Sequence, residues 1–231
     1  GDTWQEAAHW PPEHRAADYF LHSRGHANTR YGDGLLSAEE GPELEPPDTF
    51  IYDPLDPVPT LGGRTIQPVF HRAGIHDQAL VEDRDDVLVY TTVPLSAPVT
   101  VAGPVSLTLF AASSAPDTDF TAKLVDVYPS GYAMNVAQGI LRARYRDSWE
   151  QPTLLEPGRV YRYDIDLWAT GNCFQKGHRI LVEISSSNFP QFDRNPNTGH
   201  AFGQDAELRK AHQTVYHDRE HASHILLPVI P

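Results

Sequence analysis

The sequence predicts an all-β fold, an antiparallel β-sandwich of the jelly-roll type with at most one or two short helices. Its 20 prolines and 16 glycines are spread along the chain rather than clustered, and such punctuation suits many short strands joined by turns. Several runs alternate apolar and polar residues with a period of two, which is the pattern of a strand with one buried face. Turn residues separate these runs at the spacing typical of a sandwich or barrel.

The 231 residues are predicted to form a single domain, with an irregular lead-in over 1–60 and a sandwich core over 61–231. Within the lead-in, 17–22 is a candidate strand, and the acidic, proline-rich stretch 39–47 is typical of an exposed loop. Three prolines and two glycines lie within 53–63. They force extended and turn geometry, so a helix is excluded there.

The strands of the core are predicted from their alternation. Between 105 and 111, Val105, Leu107 and Leu109 alternate with Ser106 and Thr108, so one face is expected to be buried. The predicted strands cover 87–92, 99–102, 105–111, 120–128, 138–146, 160–168, 179–185 and 224–230. The one modest helical candidate is 205–211.

Charge and composition narrow the classes of partner. The chain carries 31 acidic against 18 basic residues, a net charge of −13, which repels nucleic-acid backbones and anionic membrane surfaces. No apolar run approaches the roughly 20 residues that span a bilayer. Nucleic-acid and membrane partners are therefore not predicted.

The start of the chain and its cysteine bear on compartment. The sequence begins without Met and without a recognisable signal peptide, so a processed or excised fragment is expected. The single Cys173 is interpreted as a small buried hydrophobe and permits a reducing compartment. The cytoplasm is favoured, but the compartment stays open.

The sequence shows no recognisable catalytic nucleophile. A Gly-x-Ser-x-Gly elbow is absent from the sequence, and that elbow is what presents the serine of an α/β-hydrolase. Ser130 sits in a Pro-Ser-Gly turn between two strands. No catalytic residue is assigned to this chain.

Two groups of residues are candidate metal sites. His217, His221 and His224 stand at spacings of four and three, so on a helix their rings would share one face and bind zinc. The run into an apolar strand after Ser223 argues against a continuous helix, and surface or capping histidines are favoured. The acidic stretch 82–86 would suit calcium, but a loop salt-bridged around Arg84 is favoured. No metal and no cofactor are predicted.

Two further groups of polar residues have both a functional and a structural interpretation. Asp117 and Asp119 would face the same side of a strand and suit acid–base catalysis, whereas a turn in which they accept backbone N–H groups is favoured. The polar segment 185–199 is interpreted as an ordered loop. The alternative is a binding surface with Phe189 and Phe192 as platforms.

Seven segments, taken in order, resemble the C-terminal domain of the X-prolyl dipeptidyl-peptidase, cocaine esterase and α-amino acid ester hydrolase family. They are 52–63, 83–88, 117–127, 139–146, 177–180, 187–190 and 223–228. The resemblance implies a jelly roll of the galactose-binding-like type. It also implies an upstream α/β-hydrolase domain and helical cap, with the serine triad located there.

The resemblance further implies what this chain does in such a parent. As a non-catalytic domain it would stabilise the hydrolase domain of the same polypeptide, and it would be inactive alone. The parent would cleave acyl esters or X-Pro peptides by serine acyl transfer. A homodimer is allowed for.

In the family, one loop of this domain reaches the acyl pocket, and the matching loop here is 64–74. Ile66, Val69 and Phe70 are expected to line or flank that pocket. The alternative, that they only pack the interface between domains, stays open.

A free-standing carbohydrate-binding module of the jelly-roll type is the alternative function. It would need solvent-facing aromatic rings, for which Phe189, Phe192, Tyr128 and Tyr132 are the candidates. A purely structural interaction domain is a third possibility, and it predicts a large apolar patch where Trp4 and Trp10 meet the missing partner. The sequence does not decide the substrate of the parent.

Overall fold

The computed structural model describes residues 4, 6–64, 72–201, 203–204 and 206–230. Their regular structure consists of strands and one short 3-10 helix, Ala143–Tyr145. The strands are β1 (Arg15–His22), β2 (Leu35–Ser37), β3 (Asp48–Tyr52), β4 (Leu88–Thr91), β5 (Val99–Ser113), β6 (Asp119–Val127), β7 (Ala133–Arg142), β8 (Tyr161–Phe174), β9 (Arg179–Ser185), β10 (Ala211–Tyr216) and β11 (His224–Val229). None of the described segments forms a helix long and apolar enough to cross a membrane.

The strands form one continuous hydrogen-bonded sheet that folds back on itself. Its order is β3-β10-β5-β11-β1-β2-β4-β9-β6-β7, and β8 pairs with the other side of β5. All pairings are antiparallel except a single parallel contact between β2 and β4. The prediction of an all-β antiparallel sandwich is confirmed, while its jelly-roll connectivity stays a prediction.

Among the described residues the sheet does not close by hydrogen bonds, yet its β7 and β8 edges lie against each other. A Cβ added to Gly139 of β7 would collide with the carbonyl oxygen of Asp166 in β8. Glycine is thus required by a close approach of two backbones. This seam between the two edges carries the candidate site described below.

The main core lies between the two layers. Val105, Leu107 and Leu109 are fully buried, as their alternation predicted, and Phe120 packs on Tyr163 with ring centroids 4.8 Å apart. A second apolar cluster lies where the long connection from β3 to β4 covers β6 and β9 from outside. Its members are Val58, Val81, Val87, Val89, Val125, Ala133 and Leu181.

The structure corrects two parts of the predicted layout. The first 60 residues contain three strands, of which only the one around 17–22 was predicted. The helical candidate 205–211 is wrong in its described part, because 206–210 have no regular structure and Ala211 begins β10. The sequence of β10 is polar, yet Gln213 is buried. Its amide donates to Thr118 Oγ1 at 2.7 Å, which offsets part of the cost of burying it.

Candidate functional site: an aromatic groove between two sheet edges

Arg64 joins the two edges of the seam. Its Nη2 donates to the carbonyl oxygens of Gln138 in β7, at 3.1 Å, and of Leu167 in β8, at 3.2 Å. The guanidinium also lies over the Trp168 ring, 4.7 Å from its centroid. A planar cation with several fixed donors is suited to doing both at once.

Trp168 is turned outward by a bulge in β8. Pro104 of β5 pairs with Ala169 and Ser106 pairs with Asp166, so Leu167 and Trp168 together oppose Val105. Trp168 has φ of +67°, and its backbone N–H donates to Asp166 Oδ1 at 2.7 Å. A bulky residue in this region costs about 1–3 kcal/mol. The bulge therefore re-aims a side chain at an energetic cost.

A groove runs from Trp168 to a second exposed tryptophan. Trp149 lies between the 3-10 helix and β8 and stacks on Tyr145, with centroids 6.3 Å apart and planes inclined by 16°. Two adjoining cavities, of about 460 Å³ and 350 Å³, share Ile140, Trp149 and Phe192. We call the surface formed by Ile140, Trp149, Trp168 and Phe192, with Arg64 at one end, the aromatic groove.

Side-chain amides hold the polar wall of the groove in place. Gln138 Nε2 donates to Gln191 Oε1 at 2.5 Å, and Gln191 Nε2 donates to the carbonyl oxygen of Arg64 at 3.3 Å. Asn188 Nδ2 donates to Gln138 Oε1 at 3.4 Å. The groove is thus a fixed surface suited to burial and stacking. No serine, threonine or cysteine is among the described residues that line it.

The predicted pocket residues Ile66, Val69 and Phe70 lie outside the described residues. The chain leaves the described part after Arg64, beside the groove, and returns at Arg72. Gly63 and Gly74 exchange two backbone hydrogen bonds of 2.8 Å and 2.9 Å. Both ends of the intervening segment are therefore anchored close to the aromatic groove.

Asp117 and Asp119 do not form a catalytic pair. Asp119 accepts two hydrogen bonds from Arg142, at 2.8 Å and 3.0 Å, and Asp117 accepts one from Arg144 Nε at 2.9 Å. Asn195 Nδ2 bridges the two carboxylates at 2.9 Å and 2.8 Å. Both are buried, and burial raises the pKa of Asp119 by more than Arg142 and Asn195 lower it.

The favoured interpretation of this pair also needs correction. Asp117 Oδ1 does accept a backbone N–H, but the donor is Arg144, at 3.0 Å, rather than a residue of its own turn. Arginine partners satisfy these carboxylates, and a satisfied ion pair is a structural element rather than a free acid or base.

The three histidines near the C-terminus serve three separate contacts. His221 Nδ1 lies 3.1 Å from Asp218 Oδ1, and His224 Nδ1 contacts the carbonyl oxygen of Ala222 at 2.7 Å. His217 is instead fully buried, so a surface or capping role is wrong for it. Within the described ranges, no three His, Cys, Asp or Glu side chains are grouped to hold a metal.

His217 belongs to a buried polar network at the edge of the core. Its Nε2 lies 2.9 Å from Asp48 Oδ2 and 3.2 Å from Ser23 Oγ, and its Nδ1 lies 3.3 Å from Glu45 Oε2, an ion-pair contact without hydrogen-bond alignment. Burial lowers the pKa of His217, but Asp48 and Glu45 raise it by more. Ser23 Oγ donates to Asp48 at 2.6 Å and is buried, so this cluster is structural and not a hydrolytic triad.

A second buried network lies under the connection between β3 and β4 and has no sequence signal that we recognised. Lys123 Nζ is 3.0 Å from Glu183 Oε2 and donates to Gln78 Oε1 at 2.9 Å. Glu82 and Glu183 each keep one buried oxygen without a hydrogen-bond partner. Burial, followed by the charge of Glu183, raises the pKa of Glu82 to about 8.

Of the remaining predictions, the one for the Arg84 loop is confirmed and the one for the burial of Cys173 is wrong. Arg84 binds Asp86 at 2.7 Å and Asp56 at 3.3 Å, which confirms the salt-bridged loop. Cys173, predicted to be buried, is half-buried. Trp4 and Trp10 are exposed, and their contact with a partner stays a prediction.

The four aromatic residues proposed as a sugar platform do not form one. Phe189 is exposed, but the Arg194 guanidinium covers it, with its carbon 5.6 Å from the centroid of the Phe189 ring. Phe192, Tyr128 and Tyr132 are half-buried. The exposed rings beside the groove are instead Trp149 and Trp168. Sequence reasoning missed them because Trp149 lies outside the predicted strands, and Trp168 ends the predicted strand 160–168, whose alternation gives no sign that this ring faces solvent.

Comparison with known proteins places the chain in a family. Residues 1–226 match the family described as the X-Pro dipeptidyl-peptidase C-terminal non-catalytic domain. The chain is 47% identical to the cocaine esterase of Rhodococcus sp. strain MB1 Bresler, over 99% of this chain and 40% of that protein. It is 29% identical to a putative serine esterase of Mycobacterium tuberculosis, over 99% of this chain and 36% of that protein.

Solved structures agree with the sequence relatives. An aminopeptidase from a marine sediment Thaumarchaeota archaeon superposes with a TM-score of 0.87 at 31% identity, over 100% of this chain and 39% of its own. An α-amino acid ester hydrolase superposes with a TM-score of 0.84 at 30% identity, over 99% of this chain and 38% of its own. The chain spans between 36% and 40% of the length of these relatives. It belongs to the family of X-Pro dipeptidyl-peptidase C-terminal non-catalytic domains.

Proposed function

We propose that this chain is the accessory domain of a serine hydrolase that cleaves acyl esters or X-Pro peptides. It stabilises the catalytic domain and lends a loop to the acyl pocket. The observation that carries the proposal is the family match over 1–226, supported by 47% identity to a cocaine esterase of which this chain covers 40%. The catalytic domain of the same polypeptide is its partner.

The isolated chain is expected to show no turnover of p-nitrophenyl esters. The one cluster of serine, histidine and carboxylates described above, around Ser23, is buried and its hydroxyl already donates to Asp48. A steady-state assay of the purified chain, with the Rhodococcus cocaine esterase as positive control, measures this. Robust turnover that a serine-directed phosphonate abolishes would overturn the proposal.

In the intact hydrolase, Phe70→Ala is expected to lower kcat/KM by about tenfold for esters with bulky acyl groups. The decrease is expected to be smaller for esters with small acyl groups. Loss of an apolar contact in a substrate pocket is worth about 1–3 kcal/mol. The measurement is kcat/KM over a series of acyl esters of increasing size. The matched control is Leu80→Ala, an exposed apolar residue of the same connection.

Unchanged kinetics across the whole series for Phe70→Ala, Ile66→Ala and Val69→Ala would remove the pocket role. Those residues would then serve only the interface between domains. The accessory role itself would stand on the inactivity of the isolated chain.

Carbohydrate binding is a second candidate that one observation favours. Two exposed tryptophans flank a groove whose wall carries Gln138, Gln191 and Asp166, and sugars bind to proteins by stacking on indoles and bonding to such polar groups. This candidate requires that the isolated chain bind a soluble glycan and lose that binding on Trp168→Ala.

A further inference from the structure

We propose that the aromatic groove is the surface on which the catalytic domain of the same polypeptide docks. The inference rests on the proposed function and names the surface that this function would use.

The two indoles are left in water by the isolated fold. Trp149 is 75% exposed and Trp168 is 65% exposed, and Ile140 and Phe192 lie between them. An aromatic side chain can bury about 150–250 Å². Two exposed tryptophans beside one groove therefore form a continuous surface whose burial a partner would complete.

Trp168 has the features of a pre-organised anchor. Its left-handed backbone and its bulge turn the indole outward, while the Arg64 guanidinium covers one face of the ring. A ring already held in place loses little side-chain entropy when a partner binds. Tryptophan and arginine are also the residues enriched at the centres of protein interfaces.

The charged groups around the groove have ion-pair or hydrogen-bond partners, and Arg64 is held by two backbone carbonyl oxygens. Asp164 is paired with Arg162 at 2.9 Å, Asp193 with Arg142 at 3.2 Å, and Asp166 accepts the N–H of Trp168. When the groove is covered, these charged groups would therefore keep their ion-pair or hydrogen-bond partners, and a buried charge without any partner is the main penalty for a docked surface. The matching partner surface is an apolar ridge.

The chain enters the fold on the same pair of strands. Pro11 lies against Gly103 of β5, because a Cβ added to Gly103 would be 3.1 Å from Pro11 Cβ and 3.2 Å from Pro228 Cβ. Gly103 pairs with Thr170, two residues beyond Trp168 in β8. In a family of C-terminal domains, a catalytic domain would precede residue 1 and be tethered at this end. A short tether gives such a neighbour a high effective concentration at the groove.

Hydroxyl-radical footprinting of the isolated chain and of the intact polypeptide tests the inference. We expect Trp149 and Trp168 to be modified rapidly in the isolated chain and at least fivefold more slowly in the intact polypeptide. Tyr31 is the matched control, because it is an exposed aromatic residue outside the groove and should react equally in both. Equal modification of the two indoles in both forms would overturn the inference.

A variant gives a second reading. In the intact polypeptide with Trp168→Ala, we expect modification of Trp149 to rise to the rate seen in the isolated chain, whereas Tyr31→Ala should leave it protected. Far-ultraviolet circular dichroism checks that each variant is folded. Protection of Trp149 that survives Trp168→Ala would contradict the role of Trp168 as the anchor.

The outcomes separate this inference from the proposed function and from sugar binding. The footprint reads docking whether or not the polypeptide hydrolyses esters, so inactivity of the intact polypeptide would remove the proposed function alone. Indoles that stay exposed in the intact polypeptide, but become protected when a soluble glycan is added, would overturn docking in favour of carbohydrate binding.

Discussion

Replacing Arg142 by alanine is expected to lower the free energy of unfolding of the isolated chain by about 3–5 kcal/mol, the usual cost of removing one partner of a buried ion pair. Arg142 makes two hydrogen bonds to Asp119, which is 1% exposed. Without the guanidinium, Asp119 keeps only Asn195 Nδ2 as a donor among the contacts described above. The carboxylate must then be buried uncompensated or take up a proton.

Urea denaturation at neutral pH measures the effect, with the slope of the transition as a check on two-state behaviour. Arg162→Ala is the matched control, because Arg162 and Asp164 form an ion pair whose side chains are 60% and 63% exposed. Exposed pairs contribute about 0–1 kcal/mol. A loss below about 1 kcal/mol for Arg142→Ala would show that Asp119 is solvated or protonated in the folded chain.

The pairing of Asp119 with Arg142 shows how far the sequence could be taken. Both strands of this hairpin were predicted, but β7 ends at Arg142 and Ala143–Tyr145 form a 3-10 helix, so the predicted strand 138–146 is wrong beyond Arg142. What was missing is the register, in which Asp119 stands opposite Arg142. A shift by one residue would have placed Arg142 on the other face. The turn-based interpretation of Asp117 and Asp119 failed for this reason.

The fold was predictable where side chains alternate and not where polar residues are buried. The alternation around Leu107 identified β5, since it reflects burial directly. By contrast, β10 places Gln213 in the interior with an amide partner on a distant strand, and β3 begins with the buried Asp48, which binds Ser23 and His217. Such contacts join residues far apart in the chain, so no local pattern contains them.

The aromatic groove depends on long-range geometry in the same way. Trp168 is exposed because β8 carries one more residue than β5 at that point, and Arg64 reaches it from a different part of the chain. In the sequence, Trp149 stands in a polar stretch and Trp168 ends the predicted strand 160–168, and no local pattern links the two. The family resemblance correctly gave the class of the domain, but it directed attention to 64–74 rather than to the groove beside it.

Replacing Glu82 by glutamine is expected to change how stability depends on pH. The pKa of Glu82 is raised to about 8, above the ordinary glutamate value of about 4.3, so the folded chain holds a proton that the unfolded chain releases. The resulting stabilisation is complete below the unfolded pKa and is lost as the pH rises through the folded pKa. The slope is at most about 1.4 kcal/mol per pH unit between those values.

The direction follows from the charges around Glu82. Glu183 is buried with it, and burial also raises the pKa of Glu183 by more than Lys123 lowers it. Asp77 raises the pKa of Glu82 further, while Arg30 and Lys123 lower it by less than burial and Glu183 raise it. One ammonium therefore faces two buried carboxyl groups, and a proton balances the remaining charge. The two glutamates titrate as a coupled pair.

Glutamine mimics the protonated carboxyl, so Glu82→Gln should flatten the decline of stability between pH 5 and 8 by about 1 kcal/mol per pH unit and leave the variant more stable than the parent chain at pH 8. Urea denaturation at a series of pH values measures both. Glu43→Gln, at an exposed glutamate, should leave the profile unchanged. A profile for Glu82→Gln that runs parallel to that of the parent chain would mean that Glu82 is already ionised in the folded state. The charge of the buried cluster would then have to be balanced by another group.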